Sequence, residues 1–238
     1  MKKILSAILI TILFGNGPAF SQKLDVGLGI SLSEQRTYDT AVDLDSIVFF
    51  ERTFKGSGRL IPSIRYRHPI NDVFELSLGI QGHSSTAGLI VEKRETDSTQ
   101  MNSKLTSAGI TSFEFPLALS YSLTKDGEFD LNVFGGIIPI INKIEFDPIF
   151  EEGPQYPASV AEGLNKAGTL PKRFHMDYLI GGRLSYRRFN FDIYYQSNLT
   201  ANLNNNLEIW GHEFLYKRNT ESVRLILSYS IPLFANRD

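Results

Sequence analysis

The sequence predicts an all-β fold, an eight-stranded antiparallel up-and-down transmembrane β-barrel with short turns at one end and long loops at the other. Three observations predict it. The C-terminal segment alternates apolar and polar residues, the N-terminus has the build of an export signal, and the connections between strand-like segments alternate in length.

The C-terminal segment, Val223 to Phe234, sets the inside-outside pattern. Val223, Leu225, Leu227, Tyr229, Ile231 and Leu233 share one face; Ser222, Arg224, Ser228 and Ser230 share the other, with Ile226 as the exception. Successive side chains of a strand point to opposite faces, so one face is apolar and the other mostly polar. A soluble sandwich has the same pattern, and the N-terminus decides between them. Met1-Lys2-Lys3 precedes the apolar run Ile4 to Phe14 and then Gly15-Asn16-Gly17-Pro18, the charged, apolar and helix-breaking parts of a signal peptide. Ala19 and Ser21 place cleavage after Ser21, giving a signal peptide over 1–21 and an outer-membrane β-barrel domain over 22–238. The apolar run is shorter than the roughly 20 residues of a spanning helix.

The remaining strands follow the same parity. Leu24 to Ser33 turns Leu24, Val26, Leu28, Ile30 and Leu32 outward and Asp25, Gly27, Gly29, Ser31 and Ser33 inward. Arg59 to Pro69 turns Leu60, Pro62, Ile64 and Tyr66 outward, with Arg65 and Arg67 inward. Val73 to Ser84 puts Phe74, Leu76, Leu78 and Ile80 outside and Glu75, Ser77, Gly79, Gln81 and His83 inside. Thr106 to Leu123 puts Phe113, Phe115, Leu117, Leu119, Tyr121 and Leu123 outside and Ser112, Glu114, Ala118, Ser120 and Ser122 inside. Phe129 to Asn142 turns Leu131, Val133 and Ile137 outward, but Ile137 to Ile141 is apolar on both faces and fits a lipid-facing strand less well. Phe174 to Arg187 turns Met176, Tyr178, Ile180, Leu184 and Tyr186 outward and His175, Asp177, Arg183, Ser185 and Arg187 inward. Phe189 to Leu199 turns Phe189, Phe191, Ile193 and Tyr195 outward and Asn190, Asp192, Tyr194 and Gln196 inward.

Tight Asn-, Asp- or Gly-bearing turns at Pro69 to Asp72, Thr124 to Glu128 and Arg187 to Asn190 alternate with long connections at Glu34 to Gly58, Ser85 to Leu105, Lys143 to Arg173 and Thr200 to Glu221. This alternation is what a meander with both termini in the periplasm and its long loops outside the cell requires. The second and third long connections are expected to begin and end as strand extensions above the membrane, with a short helix over Ala158 to Ala167 in the third. Tyr66, Phe74, Phe115, Tyr121, Phe129, Tyr186, Phe189 and Tyr229 are expected to form a girdle at the headgroup level on the short-turn side.

The signal peptide, the loop alternation, Leu24-Asp25-Val26-Gly27-Leu28-Gly29 and the terminal run Leu225 to Phe234 together carry a resemblance. The chain resembles the outer-membrane β-barrel family that includes PorT-type proteins, and in size and topology it is similar to OmpX- and OmpA-type eight-strand barrels. The resemblance spans nearly the whole mature chain and implies a part in secretion or envelope assembly. It also implies that the C-terminal aromatics, Tyr229 and Phe234, take part in recognition by the barrel-assembly machinery, although Ala235 to Asp238 follow Phe234.

Composition narrows the chemistry. There is no Cys, hence no disulfide, thiol nucleophile or lipid-modified Cys. Without Lys2 and Lys3 the 24 basic residues fall to 22 against 26 acidic, a net charge of −4 and no footprint for nucleic acid. The inward residues contain a charge network, Arg65, Arg67, Glu75, Glu114, Asp130, Asp177, Arg183, Arg187, Asp192 and Arg224. An eight-strand lumen is just wide enough for side chains, so these groups are expected to pair as a structural plug that does not conduct. The alternative is a gated pore whose opening breaks the pairs. His83 and Ser85 share a face near the outer end of their strand, the spacing that some lipid A deacylase-like barrels use, but no orienting group or oxyanion hole is legible. His68, His175 and His212 lack metal-ligand spacing, and no cofactor, metal or catalytic residue is expected.

Loop acids Asp39, Asp43, Asp45, Glu51, Glu92, Glu95, Asp97, Glu145, Asp147, Glu151 and Glu152 read first as solvated surface, second as sites for cations or a partner. The third loop, with Pro148, Pro154, Tyr156, Pro157 and Leu164, is where a partner contact is expected, and the fourth offers Ile209, Trp210, Phe214 and Leu215 to lipid, protein or a strand extension. The expected protein is a monomeric, non-enzymatic outer-membrane barrel. Its role is structural, in envelope assembly or secretion, or partner-binding through extracellular loops. The alternatives are a lipid-modifying enzyme using His83 and Ser85, and a soluble periplasmic lipid-binding barrel whose Leu and Phe rows would be core.

Overall fold

The computed structural model describes residues 22–37, 47–50, 59–94, 101–124, 128–146, 158–201, 203–209 and 212–233. The predicted signal peptide over 1–21, Phe234, Trp210, the acids Asp39, Asp43, Asp45, Glu51, Glu95, Asp97, Asp147, Glu151 and Glu152, and Pro148, Pro154, Tyr156 and Pro157 lie outside the described residues.

The alternating segments form strands β1 (Lys23–Thr37), β2 (Ile47–Phe50), β3 (Arg59–Pro69), β4 (Phe74–Arg94), β5 (Met101–Glu114), β6 (Leu117–Ser122) and β7 (Phe129–Phe146), helix α1 (Ala158–Thr169), and strands β8 (Phe174–Tyr186), β9 (Phe189–Asn198), β10 (Leu203–Ile209) and β11 (His212–Pro232). Eight staves make the wall, in the order β1, β3, β4, β5 with β6, β7, β8, β9, β11, each antiparallel to the next. The seam from Lys23↔Pro232 to Thr37↔Arg218 joins β11 back to β1 and closes the cylinder. Closure matters because a strand edge left open in hydrocarbon would strand its peptide groups.

β5 and β6 are one stave interrupted at Pro116. Gly79 N donates to Pro116 O (2.9 Å) and Phe115 N donates to Pro139 O (3.0 Å). Neither proline has an N–H to return the bond, so two ladder bonds are missing there. The register runs on unchanged, with Gln81↔Glu114 below the break in sequence and Leu78↔Leu117 after it, so the inside-outside parity survives.

Parity sorts the side chains as the sequence predicts. Val26, Leu28 and Ile30 on β1, Leu60 and Ile64 on β3, Phe191 and Ile193 on β9, and Val223, Leu227 and Ile231 on β11 all stand exposed, while Asp25, Arg65, Asp192 and Arg224 are buried inside. A water-soluble monomer rarely shows contiguous apolar patches beyond a few hundred Å², and here such residues ring every stave. These rows are exterior, which removes the premise of the soluble lipid-binding alternative. On β7 the belt ends at Ile141, after which the outward positions are Lys143 and Glu145, both exposed and ion-paired at 2.6 Å.

Aromatics mark the short-turn rim in three cross-strand pairs: Phe74 with Tyr121 (ring centroids 5.4 Å), Phe129 with Tyr186 (4.8 Å) and Phe189 with Tyr229 (5.4 Å). Phe115 departs from expectation: it stands against Pro139, well up the wall from this rim, because the Pro116 interruption falls mid-stave. The apolar inner face of β7 also has its reason. Phe134, Ile138 and Ile140 are buried in an interior apolar cluster with Ala118, Leu179, Tyr194 and Ile226, so that stretch faces lipid on one side and this cluster on the other.

Beyond the belt the strands continue. β4 and β11 are 21 residues each, about twice the 9–11 that cross a bilayer. β2 pairs with the far end of β4, and β10 folds back on β11 with Leu207↔Phe214 and Ile209↔His212. Helix α1, two residues longer at its end than the predicted Ala158 to Ala167, packs against β4, β5, β7 and β10 and so reaches across the long-loop mouth. Gly168 permits this approach: a Cβ there would lie 2.2 Å from the Phe146 ring.

Candidate functional site: the sealed interior and the wall groove

Inward parity concentrates charge, and the cylinder brings distant strands within reach. On the turn side, Arg67 of β3 is ion-paired to Asp25 of β1 (Nε to Oδ2, 2.8 Å) and to Glu75 of β4 (3.4 Å), and donates to Ser230 of β11 (2.7 Å). Arg183 of β8 spans the lumen, meeting Glu75 (3.1 Å) and, through Nε, Asp192 of β9 (2.6 Å). Arg65 also donates to Asp192. Asn190 joins this tier, donating to Ser230 (2.9 Å) and accepting from Ser185 (2.8 Å).

Above this tier lies the apolar cluster, where Phe134 and Tyr194 meet edge-on at 6.1 Å and the Arg183 guanidinium sits 5.7 Å from the Phe134 ring centre. The void left between the layers is about 10 Å³, the room of a single water at most. A second ionic tier follows. Arg224 of β11 grips Glu114 of β5 with both terminal guanidinium nitrogens, and its Nη1 shares Gln81 Oε1 (3.2 Å) with the Tyr194 hydroxyl (2.8 Å). Higher still, Asp177 accepts from Gln196 (2.7 Å) and Asn198 (2.6 Å) and lies 3.7 Å from His175. Asn142 ties this layer to the segment after α1, donating to Lys172 O (2.8 Å).

Of the expected network, Arg65, Arg67, Glu75, Arg183 and Asp192 meet in the first tier, Glu114 and Arg224 in the second, and Asp177 above them. Two positions differ. Arg187 is exposed in the β8–β9 turn at φ 54°, its guanidinium 5.1 Å from the Tyr186 ring centre, because strand parity stops where the turn begins. Asp130 is exposed at the turn-side mouth, lining a recess of about 290 Å³ with Lys23 and Arg67. Asp25 belongs to the network although the charge pattern alone did not single it out; its inward parity was the available signal. Tyr229 is outward at the turn-side rim, where its hydroxyl accepts from Arg188 at 3.1 Å. Among the described residues no three His, Asp or Glu side chains converge as metal ligands.

A second feature lies in the wall. Between β3 and β4, ladder pairing stops at Ser63↔Gln81, and a groove of about 550 Å³ opens above it. Outward Leu60, Pro62, Gly82 and Ser84 line it together with His83 and Ser85.

A closed cylinder with an apolar exterior and paired charges inside is an outer-membrane β-barrel of the small kind. No family model matches the chain, and no curated protein matches it in sequence. Among solved structures it is similar to Ail, the attachment invasion locus protein of Yersinia pestis (12% identity over 89% of this chain and 98% of that one, TM-score 0.42). It is also similar to Neisserial surface protein A (8%, 90% and 100%, 0.43) and to OprG of Pseudomonas aeruginosa (8%, 89% and 96%, 0.45). Identities this low do not extend to function.

Proposed function

We propose that the protein is a monomeric, non-enzymatic outer-membrane barrel that serves as a scaffold, carrying its extended extracellular end to a partner. The observation supporting this is the combination of a lumen filled by two ionic tiers and an apolar layer with strands that continue far beyond the belt. A lumen crossed by these layers argues against transport, while long sheets and a helix outside the membrane offer surface. The PorT-type resemblance favours a part in secretion or envelope assembly, with the assembly machinery and lipid as further partners. Reconstituted in planar bilayers, the protein is expected to give no steady single-channel current; sustained large currents would sink the scaffold reading.

A second reading has one observation in its favour: the wall groove brings His83 and Ser85 to the edge of the lipid belt. A lipid-modifying enzyme would place its chemistry there. Under the scaffold reading, His83→Ala leaves the lipid A mass spectrum of the cells unchanged. Disappearance of a deacylated species in that variant would favour the enzyme.

A further inference from the structure

The groove between β3 and β4 has a cause in the backbone. Gly79 N bonds Pro116 O on the β5 side, so by alternation the peptide groups of Gly82 and Ser84 point to β3. Continuing the register past Ser63↔Gln81 sets Pro62 opposite Gly82 and Leu60 opposite Ser84. Pro62 has no N–H for the Gly82 carbonyl, and the ladder ends there. One residue further along β3, the Arg59 guanidinium donates to the Ser84 carbonyl in place of a backbone bond. Among the described residues β3 above Ser63 pairs only with β1, and β4 from Gly82 to Leu89 only with β5. Gly82 adds no side chain, and among the described residues the seam is unpaired from Gly82 to Leu89.

We propose that this groove holds one acyl chain of an outer-leaflet lipid. Its volume, about 550 Å³, is that of a small-molecule site. Its floor is Leu60, Pro62 and Gly82, all on the lipid-facing parity, and it lies at the long-loop edge of the belt, where Ile80 is the last large apolar outward residue of β4 before Ser84. The rim is polar: Arg59, Ser84, Ser85 and Thr111. An apolar trough open to hydrocarbon below and bounded by hydroxyls and a guanidinium at the headgroup level suits a chain whose polar end stays at the interface. The inference rests on the membrane reading of the barrel and requires no chemistry at His83.

The test uses the mature full-length protein in phosphatidylcholine vesicles containing a phosphatidylcholine with a mid-chain diazirine, followed by photolysis and peptide mapping. Two variants accompany it. Gly82→Leu fills the groove, and its Cβ meets nothing closer than Pro62 Cγ at 3.6 Å, an ordinary contact, so the wall tolerates it. Pro62→Val supplies the missing N–H and lets the ladder close. The heat-modifiable gel shift of each variant reports that the barrel is intact. The expected result is labelling at Leu60 to Pro62 and Gly82 to Ser84 in excess of that at Leu28 and Ile193 on the open belt, with that excess lost in both variants. Equal labelling round the belt, or an excess untouched by Gly82→Leu, overturns the proposal, as does a cross-link from β4 to a second copy, which would show that the seam takes a strand. No labelling at Leu28 and Ile193 either would overturn the membrane reading and this site with it.

Discussion

Asp192→Ala is expected to lower barrel stability by about 3–5 kcal/mol, the cost of breaking a buried ion pair from one side. Asp192 is the carboxylate on which two guanidiniums converge: Arg183 binds it through Nε (2.6 Å) and Nη2 (3.3 Å), and Arg65 binds it from the opposite wall. All three groups are buried. Without the carboxylate, two cations from β3 and β8 face each other in a lumen with no room for bulk water to separate them. Asp192→Asn is expected to lose less, since its amide oxygen still accepts from Arg183. Arg187→Ala is the contrast: its guanidinium lies over Tyr186 in the solvent of the turn, and such a contact is worth about 0.5–1 kcal/mol. The measurement is the urea midpoint at which the heat-modifiable band disappears in detergent micelles. Equal, small shifts for Asp192→Ala and Arg187→Ala would mean that the inner tier does not hold the staves together.

The contrast between Asp192 and Arg187 also shows which information the sequence carries. Period-2 alternation is local, and it assigned the lumen residues from Asp25 to Ser230 because a strand repeats every two residues regardless of its partners. Arg187 lies one residue past the end of β8, in the turn at φ 54° where it lines the turn-side mouth, and alternation has no authority there. Partners were not legible at all. That Arg183 reaches Glu75, 108 positions away, depends on the cylinder's register, which hydrophobic pattern alone leaves open. Phe115 failed as a girdle residue for the same reason: its outward side was local information, its height in the membrane was not. The groove was half-visible. His83 and Ser85 announced a shared face, but the opening comes from Pro62 meeting Gly82 across a seam, a non-local coincidence.

Glycines pose that distinction in its sharpest form, and Gly181 and Gly182 test it with one methyl group. Gly181 points inward between Phe134 of β7 and Tyr194 of β9, its register partners, whose rings meet over it. A Cβ on Gly181 would lie 2.3 Å from the Ile193 carbonyl oxygen and 2.4 Å from Tyr194 Cβ. Gly29 and Gly136 are in the same position, with Leu225 O at 2.5 Å and Leu117 O at 2.0 Å from their added carbons. The obstruction in each case is backbone of the neighbouring stave, which no rotamer change relieves, so small residues here alternate with large ones to fill a narrow interior. Gly182 points outward, and its nearest obstacle is Asn132 O at 3.6 Å. Gly181→Ala is therefore expected to cost more than the roughly 1–3 kcal/mol of ordinary overpacking, since β8 and β9 must separate, and to abolish or severely reduce the folded band on unboiled gels. Gly182→Ala, one residue away, is expected to fold like the parent. If both fold alike, the interior is looser than these contacts allow, and the case for a sealed lumen fails with them.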